Sequence, residues 1–436
     1  MAFSSFYAGL SGLQANANML TVIGNNLANV NTVGFKASRV TFQDIFSQAG
    51  VGAGVNGAGN PQQVGLGTQI AGIDQIFGQG SLQTTGLVSD VAIQGNGFFV
   101  LADRSGARSL TRAGNFTFDK DGNLVTSNGQ FVQGYTQRDA NDHIVTSGSS
   151  GNIQIPVGLT APPQATGYVS AAINLNADAK VDDPATGADE AETFSSTLSV
   201  YDSLGARHNL TLTFRPVDTN ADGLRDQWTY TATVPGDEVV GGVAGTPFQI
   251  ATGAVTFDAQ GHLTGPAANV TLTTPAWTNG AAAQPVEWRL FDANSTASLT
   301  GFSGPSATSS TNQDGYAVGR LRTLTIDQDG LVSGIFTNGV TLEMASFALA
   351  TFNNPNGLLK NGQNSYIETN SSGPATIGGA NSGGRGMVTS NSLELSNVDI
   401  TQEFTDLIVS ERGYQANSRI ITTTDTVIQE ALNLKR

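Results

Sequence analysis

The sequence predicts a multidomain, mainly β protein: nested antiparallel β domains enclosed by N- and C-terminal α-helices that form a coiled-coil-like inner domain. Three observations predict it. Both ends carry apolar residues at alternating three- and four-residue steps. The long middle changes to an alternation of period two, punctuated by turn residues. Glycine-rich stretches lie just inside each end, so the chain leaves and re-enters its helical region through matching connectors.

Composition narrows the function classes. A chain of 436 residues exceeds one small core and predicts several domains. The net charge of −15 argues against nucleic acid and anionic membranes as partners. Without cysteine there are no disulfides, no thiol catalysis and no cysteine-ligated metal. The opening MAFSSFYAGLSGLQANANML has neither the basic n-region nor the uninterrupted apolar core of a Sec signal. No stretch approaches the ~18 consecutive apolar residues of a membrane-spanning helix.

At the N-terminus, Phe3, Phe6, Leu10, Leu13, Ala17, Leu20, Gly24 and Leu27 follow a heptad pattern. The helix they predict is ~40 Å long at about 1.5 Å per residue. Its other faces carry Ser, Asn, Gln and Ala, and the first charged residue is Lys36. An uncharged surface of that length points to a helix surrounded by protein on several sides. The segment GNNLANVNTVGFKAS, residues 24–38, then gathers asparagine and glycine, which continue helices poorly and favour turns.

Next comes GVGAGVNGAG, residues 50–59. Gly52, Gly54 and Gly57 spell G-x-G-x-x-G, but no strand precedes them and no helix follows, so a loop is expected. Strand-like alternation marks residues 90–102, 197–202, 208–217, 227–234 and 340–352. One hairpin motif recurs as FDKDGNL (118–124), FDAQGHL (257–263) and IDQDGLV (326–332). Its Asp starts a type I turn and its Gly takes the left-handed position. Further glycine-rich connectors are expected at 300–315 and 371–386.

Chemistry is sparse in this middle region. His143, His208 and His262 are scattered without a second ligand at metal spacing, so they are expected at the surface. In DTNADGLRDQW, Asp218, Asn220, Asp222, Gly223 and Asp226 match positions of a calcium loop, but Thr229 stands where a bidentate Glu is needed. The acidic clusters Asp182–Asp183, Asp189–Glu192 and Asp237–Glu238 sit in loop-like sequence. No catalytic, metal or cofactor residue is assigned, and the chain is not expected to be an enzyme.

At the C-terminus, Asp399 with Gln402 gives a capping-box variant. Ile400, Leu407, Tyr414, Ile421 and Ile428 then recur every seven residues, with Phe404 and Leu432 at intermediate positions. Glu411, Ser418 and Asp425 interrupt the second stripe, so a dry two-stranded coil with its own copy is excluded. Two readings remain: amphipathic helices packed on a globular core, or ends that pair with each other and then with neighbouring subunits. The uncharged N-terminal helix favours the second.

NNLANVNTVGFKASR resembles the N-terminal signature of the bacterial flagellar axial proteins, the rod and hook family. The likeness continues through FGQGSLQTTGLVSDVAIQGNGFFVL (77–101) and LTRAGNFTFDKDGNLVTSNGQFVQGY (110–135), and resumes in the segment from Ser396 to the C-terminus. ETFSSTLSVYDSLGARHNLTLTFRPV lies within a long insertion that points to the hook branch of the family rather than the shorter rods. The resemblance implies a structural subunit that self-assembles into a curved, flexible tube and transmits torque. It implies export without a cleaved signal through the type III apparatus, and an extracellular location on the flagellum. Implied partners are further copies of itself, the rod proximally, hook–filament junction proteins distally and the hook cap during assembly. The terminal helices would form the inner tube, and Asn29, Asn31, Gly34 and Phe35 a hinge-like exit from it; the plainer reading is a helix C-terminus with Gly34 near C′. The expected division is 1–34 with 394–436 (inner core), 35–74 with 362–393 (connecting region), 75–146 with 300–361 (middle β domain) and 147–299 (outer β domain). A distal rod protein and a secreted β-rich glycan binder or enzyme remain as rivals.

Overall fold

The computed structural model describes residues 2–45, 48–49, 63–140, 142–156, 158–181, 191–218, 227–292 and 296–433. The chain divides into two units, residues 1–157, 323–335 and 341–436, and residues 158–322 with 336–340.

In the first unit the N-terminal heptads fold as helix α1, Ala2–Ala28. The C-terminal heptads fold as helix α2, Ile400–Asn433. Asp399 caps α2, its Oδ1 accepting from the amide of Thr401 at 2.8 Å and of Gln402 at 3.3 Å. The Gln402 side chain does not complete a capping box. It reaches forward one turn to Asp406, because the i, i+4 carboxylate is the nearer acceptor.

Between α1 and the β body, strands Ser38–Asp44 and Thr68–Gln75 pair antiparallel in a hairpin with a bulge at Thr41/Phe42. The main sheet is built around Thr341–Thr351, whose residues Met344 to Ala350 are all buried. A strand buried on both faces needs apolar or small residues throughout, which ASFALA supplies. From Leu331–Phe336 the strand order runs through Thr341–Thr351, Phe131–Tyr135, Phe98–Ala102, Arg108–Thr111 and Ser365–Ile367 to Leu359–Gly362. Phe99, Phe116 and Phe347 interlock in its core at ring separations of 5.1–6.3 Å.

The second unit is two sheets on one core. Phe194–Tyr201, Arg207–Val217, Gln227–Pro235, Pro247–Phe257 and Leu263–Gly265 form an antiparallel meander. Val169, Ala171 and Ile173 of the other sheet meet Leu198, Leu212, Phe214 and Trp228 of the meander in that core. Strict alternation of buried and half-buried residues along Gln227–Pro235 matches the expected period. Not every pairing is antiparallel, however: Tyr168–Asn174 runs parallel to Pro285–Arg289 and to Leu299–Thr300. Tyr168–Asn174 also pairs antiparallel with Ala307–Gln313, which keeps residues up to 322 in this unit. The second unit accordingly spans residues 158–322 with 336–340.

The recurrent hairpin is more frequent than the three expected copies. Asp119, Asp258 and Asp327 each accept from the amides two and four residues on. Asp103 and Asp202 do the same in turns whose flanks differ. Each turn closes on a glycine at positive φ, Gly106, Gly122, Gly205, Gly261 and Gly330.

Candidate self-assembly surface

The two terminal helices cross antiparallel, and small residues make the seam. Gly9, Gly12, Ala15 and Ile23 of α1 are buried, as are Ser410 and Thr424 of α2. A Cβ on Gly12 would lie 2.8 Å from the Asn417 side-chain amide, and one on Gly413 would lie 2.7 Å from Asn16 Oδ1. Each asparagine thus fills the space left by the other helix's glycine. Each also donates from Nδ2 to the carbonyl four residues back in its own helix, Asn16 to Gly12 at 2.7 Å and Asn417 to Gly413 at 2.9 Å. At the far end, buried Asn26 donates to Glu403 Oε1 at 2.8 Å and exchanges two hydrogen bonds with the backbone of Ser38.

The apolar heptads lie beside this seam. Leu10 is exposed, and Phe6, Leu13, Leu20 and Leu27 are half-buried. On α2, Ile400, Phe404, Tyr414 and Leu432 are exposed, and Leu407, Ile421 and Ile428 are half-buried. Phe3 falls outside the residues whose side chains are described. Hydrophobicity patterns weight large side chains, so they found the flanks and overlooked the small-residue seam.

Around α2 the surface divides into four stripes. Ser410, Asn417 and Thr424, at heptad spacing, face α1. Ile400, Phe404 and Ile408 form one apolar flank, with Phe404 49 % exposed. Val409, Ile420 and Val427 form the other, with Val409 61 % exposed. Arg412, Arg419 and Glu430 occupy an exposed charged stripe roughly opposite the seam. Within one chain, both apolar flanks are left facing solvent.

The exit from α1 is anchored at several points. Asn29 Nδ2 donates to the Asn25 carbonyl at 2.9 Å, and Thr32 Oγ1 donates to Asn29 Oδ1 at 3.1 Å. Asn31 is exposed. Gly34 lies six residues beyond the helix end with φ +69°, and a Cβ there would sit 2.5 Å from the Ala113 amide. Its own amide donates to the Glu394 carbonyl at 2.7 Å, and Phe35 beside it is buried. Gly34 therefore serves the docking of the exit on the β body; it is not the C′ residue of the helix.

Two charged clusters escaped the sequence. Lys36 Nζ and Arg112 Nη1 meet the buried Glu394 carboxylate at 2.6 and 3.3 Å. In the second unit His208 is buried, against expectation, stacked on Trp277 at 3.5 Å. Its Nδ1 lies 2.6 Å from Glu238 and its Nε2 3.1 Å from Asp202. Strand parity carried that signal, because His208 shares its face with Leu210, Leu212 and Phe214. His143 and His262 are exposed as expected. Among the described residues no three His, Asp or Glu side chains are grouped to hold a metal ion. Residues 219–226 of the calcium-like loop, Gly52, Gly54 and Gly57, and the acidic residues 182–189 lie outside the described residues. Among the described residues no helix is long and apolar enough to cross a membrane.

Family models match along most of the chain: the flagella basal body rod protein model over residues 6–36, and the flagellar hook protein FlgE/F/G D1 domain over 92–178. The flagellar basal body protein FlaE D2 domain matches 171–316, and the flagellar basal body rod FlgEFG protein C-terminal model 389–434. The flagellar hook protein FlgE of Treponema pallidum is 40 % identical over 468 residues, covering 99 % of each chain. That of Salmonella typhimurium is 34 % identical over 435 residues, covering 99 % of this chain and all of its own. The crystal structure of Helicobacter pylori flagellar hook protein FlgE2 superposes with a TM-score of 0.50 at 16 % identity, covering 72 % of this chain and 100 % of that one, a likeness of fold.

Proposed function

This chain belongs to the flagellar hook protein family, as a structural subunit of the hook, and from that premise we propose that its terminal helices form the wall of a tube. The observation that carries the proposal is the four-sided surface of α2. A helix with one side on α1, two apolar flanks and one charged stripe fits a ring of neighbours around a water-filled channel. Neighbouring copies cover Ile400, Phe404, Ile408, Val409, Ile420 and Val427, while Arg412, Arg419 and Glu430 stay hydrated. Burying those charges unpaired would cost several kcal/mol each.

The role is structural rather than catalytic. The subunit stacks with copies of itself into a curved, flexible tube that transmits torque, joined to the rod proximally and to junction proteins distally. The hook cap and the type III export apparatus take part in its assembly. The four-part division of the chain is retained, with the outer β domain redrawn as the second unit. Its meander lines one face with Thr and Ser, Ser195 and Thr197 exposed and Thr211 and Thr213 half-buried, and such a surface forms exchangeable, hydrated contacts.

Electron microscopy of the purified chain tests the reading. Wild type should polymerise into tubes; Phe404→Asp should remain monomeric with both units folded; Arg419→Gln should still polymerise. Tubes from Phe404→Asp, or their loss in Arg419→Gln alone, would place the inner wall elsewhere.

A further inference from the structure

Three segments far apart in the sequence meet at one buried point. Lys36 follows the exit of α1, Arg112 lies in the β body and Glu394 precedes α2; all three are at most 3 % exposed. Lys36 Nζ donates to Glu394 Oε1 at 2.6 Å and to the Gly78 carbonyl at 2.7 Å. Arg112 donates to Glu394 Oε2 at 3.3 Å and to the carbonyls of Gly95 and Ile93 at 2.6 and 3.3 Å. The Gly80 amide donates to Glu394 Oε1 at 2.9 Å. Two cations therefore share one carboxylate, and the cluster carries a net positive charge in a water-excluded site. Burial lowers the proton affinity of Lys36 and of Arg112, while their contacts with Glu394 oppose that. Burial also pushes the nearby Tyr366 hydroxyl up to about 12, so it is a neutral neighbour.

The carboxylate arrives late in the chain. Glu394 is 358 residues from Lys36 and 282 from Arg112. Asn397, in the same short segment, accepts from the Ala37 amide at 2.8 Å and donates to the carbonyls of Ile76 and Gly78. The Leu395 amide donates to the Ser81 carbonyl at 2.9 Å. One segment, 394–397, thus closes both feet of the excursion that begins at Ala37 and ends at Ile76.

We propose that Glu394 is a charge latch: until it docks, Lys36 and Arg112 repel each other and hold the connecting region open, so that α1 and α2 are presented as a fixed pair only by a chain whose C-terminal segment is in place. An isosteric amide would remove the negative charge and also set a donor against a donor at one of the two oxygens. What marks a latch that works by charge is that it tolerates removal of one of its two cations, and that removing a cation partly offsets loss of the carboxylate charge. Breaking a buried ion pair from one side leaves the other charge uncompensated.

Hydrogen exchange on the full-length monomer tests this apart from polymerisation, which is scored separately by microscopy. Glu394→Gln should raise exchange at residues 34–37, 76–81 and 112–114 about a hundredfold or more, with the meander of the second unit unaffected. Lys36→Met should stay as protected as wild type, because Arg112 and the Gly80 amide still satisfy Glu394 and Asn397 still donates to Gly78. The double variant Lys36→Met/Glu394→Gln should recover at least tenfold of the lost protection. Unchanged protection in Glu394→Gln, or opening in Lys36→Met equal to that in Glu394→Gln, would overturn the latch. If Glu394→Gln does not fold, the Lys36→Met result decides.

Discussion

Substituting alanine at Gly12 and at Gly24 makes the same chemical change at two positions of α1 with opposite expected outcomes. In a helix interior, glycine to alanine stabilises by about 1 kcal/mol. Nothing lies within 4 Å of a Cβ on Gly24, so Gly24→Ala should realise that gain. A Cβ on Gly12 would fall 2.8 Å from both Nδ2 and Oδ1 of Asn417 and 2.9 Å from its Cγ, so Asn417 must move. Moving it strains the hydrogen bond to Gly413 at 2.9 Å, worth about 1 kcal/mol, and overpacking adds about 1–3 kcal/mol. The two variants should therefore differ by about 2–4 kcal/mol, roughly a thirtyfold or greater difference in opening. Hydrogen exchange of α1 amides in the monomer reads this directly: slower in Gly24→Ala, faster in Gly12→Ala. Adding Asn417→Ala to Gly12→Ala should recover about 1 kcal/mol or more through their coupling. Equal slowing in both single variants would refute the seam.

Two further outcomes follow from the second unit. Burial raises the Asp202 carboxyl, but hydrogen bonds from Asn279, His208 and the amides of Ala206 and Leu204 together bring it below the usual carboxylate range. Because the folded value lies below the unfolded one, its contribution is complete above about pH 4 and disappears as pH falls through the folded value. Asp202→Asn should be less stable than wild type at pH 7 in urea denaturation followed at the second unit, with the gap narrowing at pH 3; a gap independent of pH would contradict this. Replacing residues 158–322 with a short Gly-Ser linker should leave polymerisation intact and give straight or irregularly curved tubes by electron microscopy, whereas loss of tubes with the first unit still folded would assign assembly to the second unit.

Period and turn chemistry made the architecture legible. The heptads foretold both helices, and the alternation in HNLTLTF foretold a strand whose even-numbered residues are buried. The same alternation applied to His208 would have placed it inside; its sparse surroundings in sequence hid Asp202 and Glu238, which reach it only through the fold. The Asp-x-x-Gly turns at 103–106 and 202–205 lack the flanking pattern of the other three, although the hydrogen bonds are the same. The ion cluster was illegible for a different reason. Its members come from three distant segments, and nothing local distinguishes Glu394 from a surface glutamate. The seam is hidden in the sequence because glycine and asparagine score as helix breakers, whereas at a helix crossing their small size and back-bonding amides permit close approach.

The seam of Gly9, Gly12, Asn16, Gly413 and Asn417 bears on where polymer growth can begin. It leaves large apolar side chains such as Phe404 and Val409 on the flanks, so each subunit presents more than one apolar face to its neighbours. A growing end offers several such flanks at once and holds an incoming pair from two sides. On the proposed tube wall, an existing end would therefore favour elongation over spontaneous nucleation.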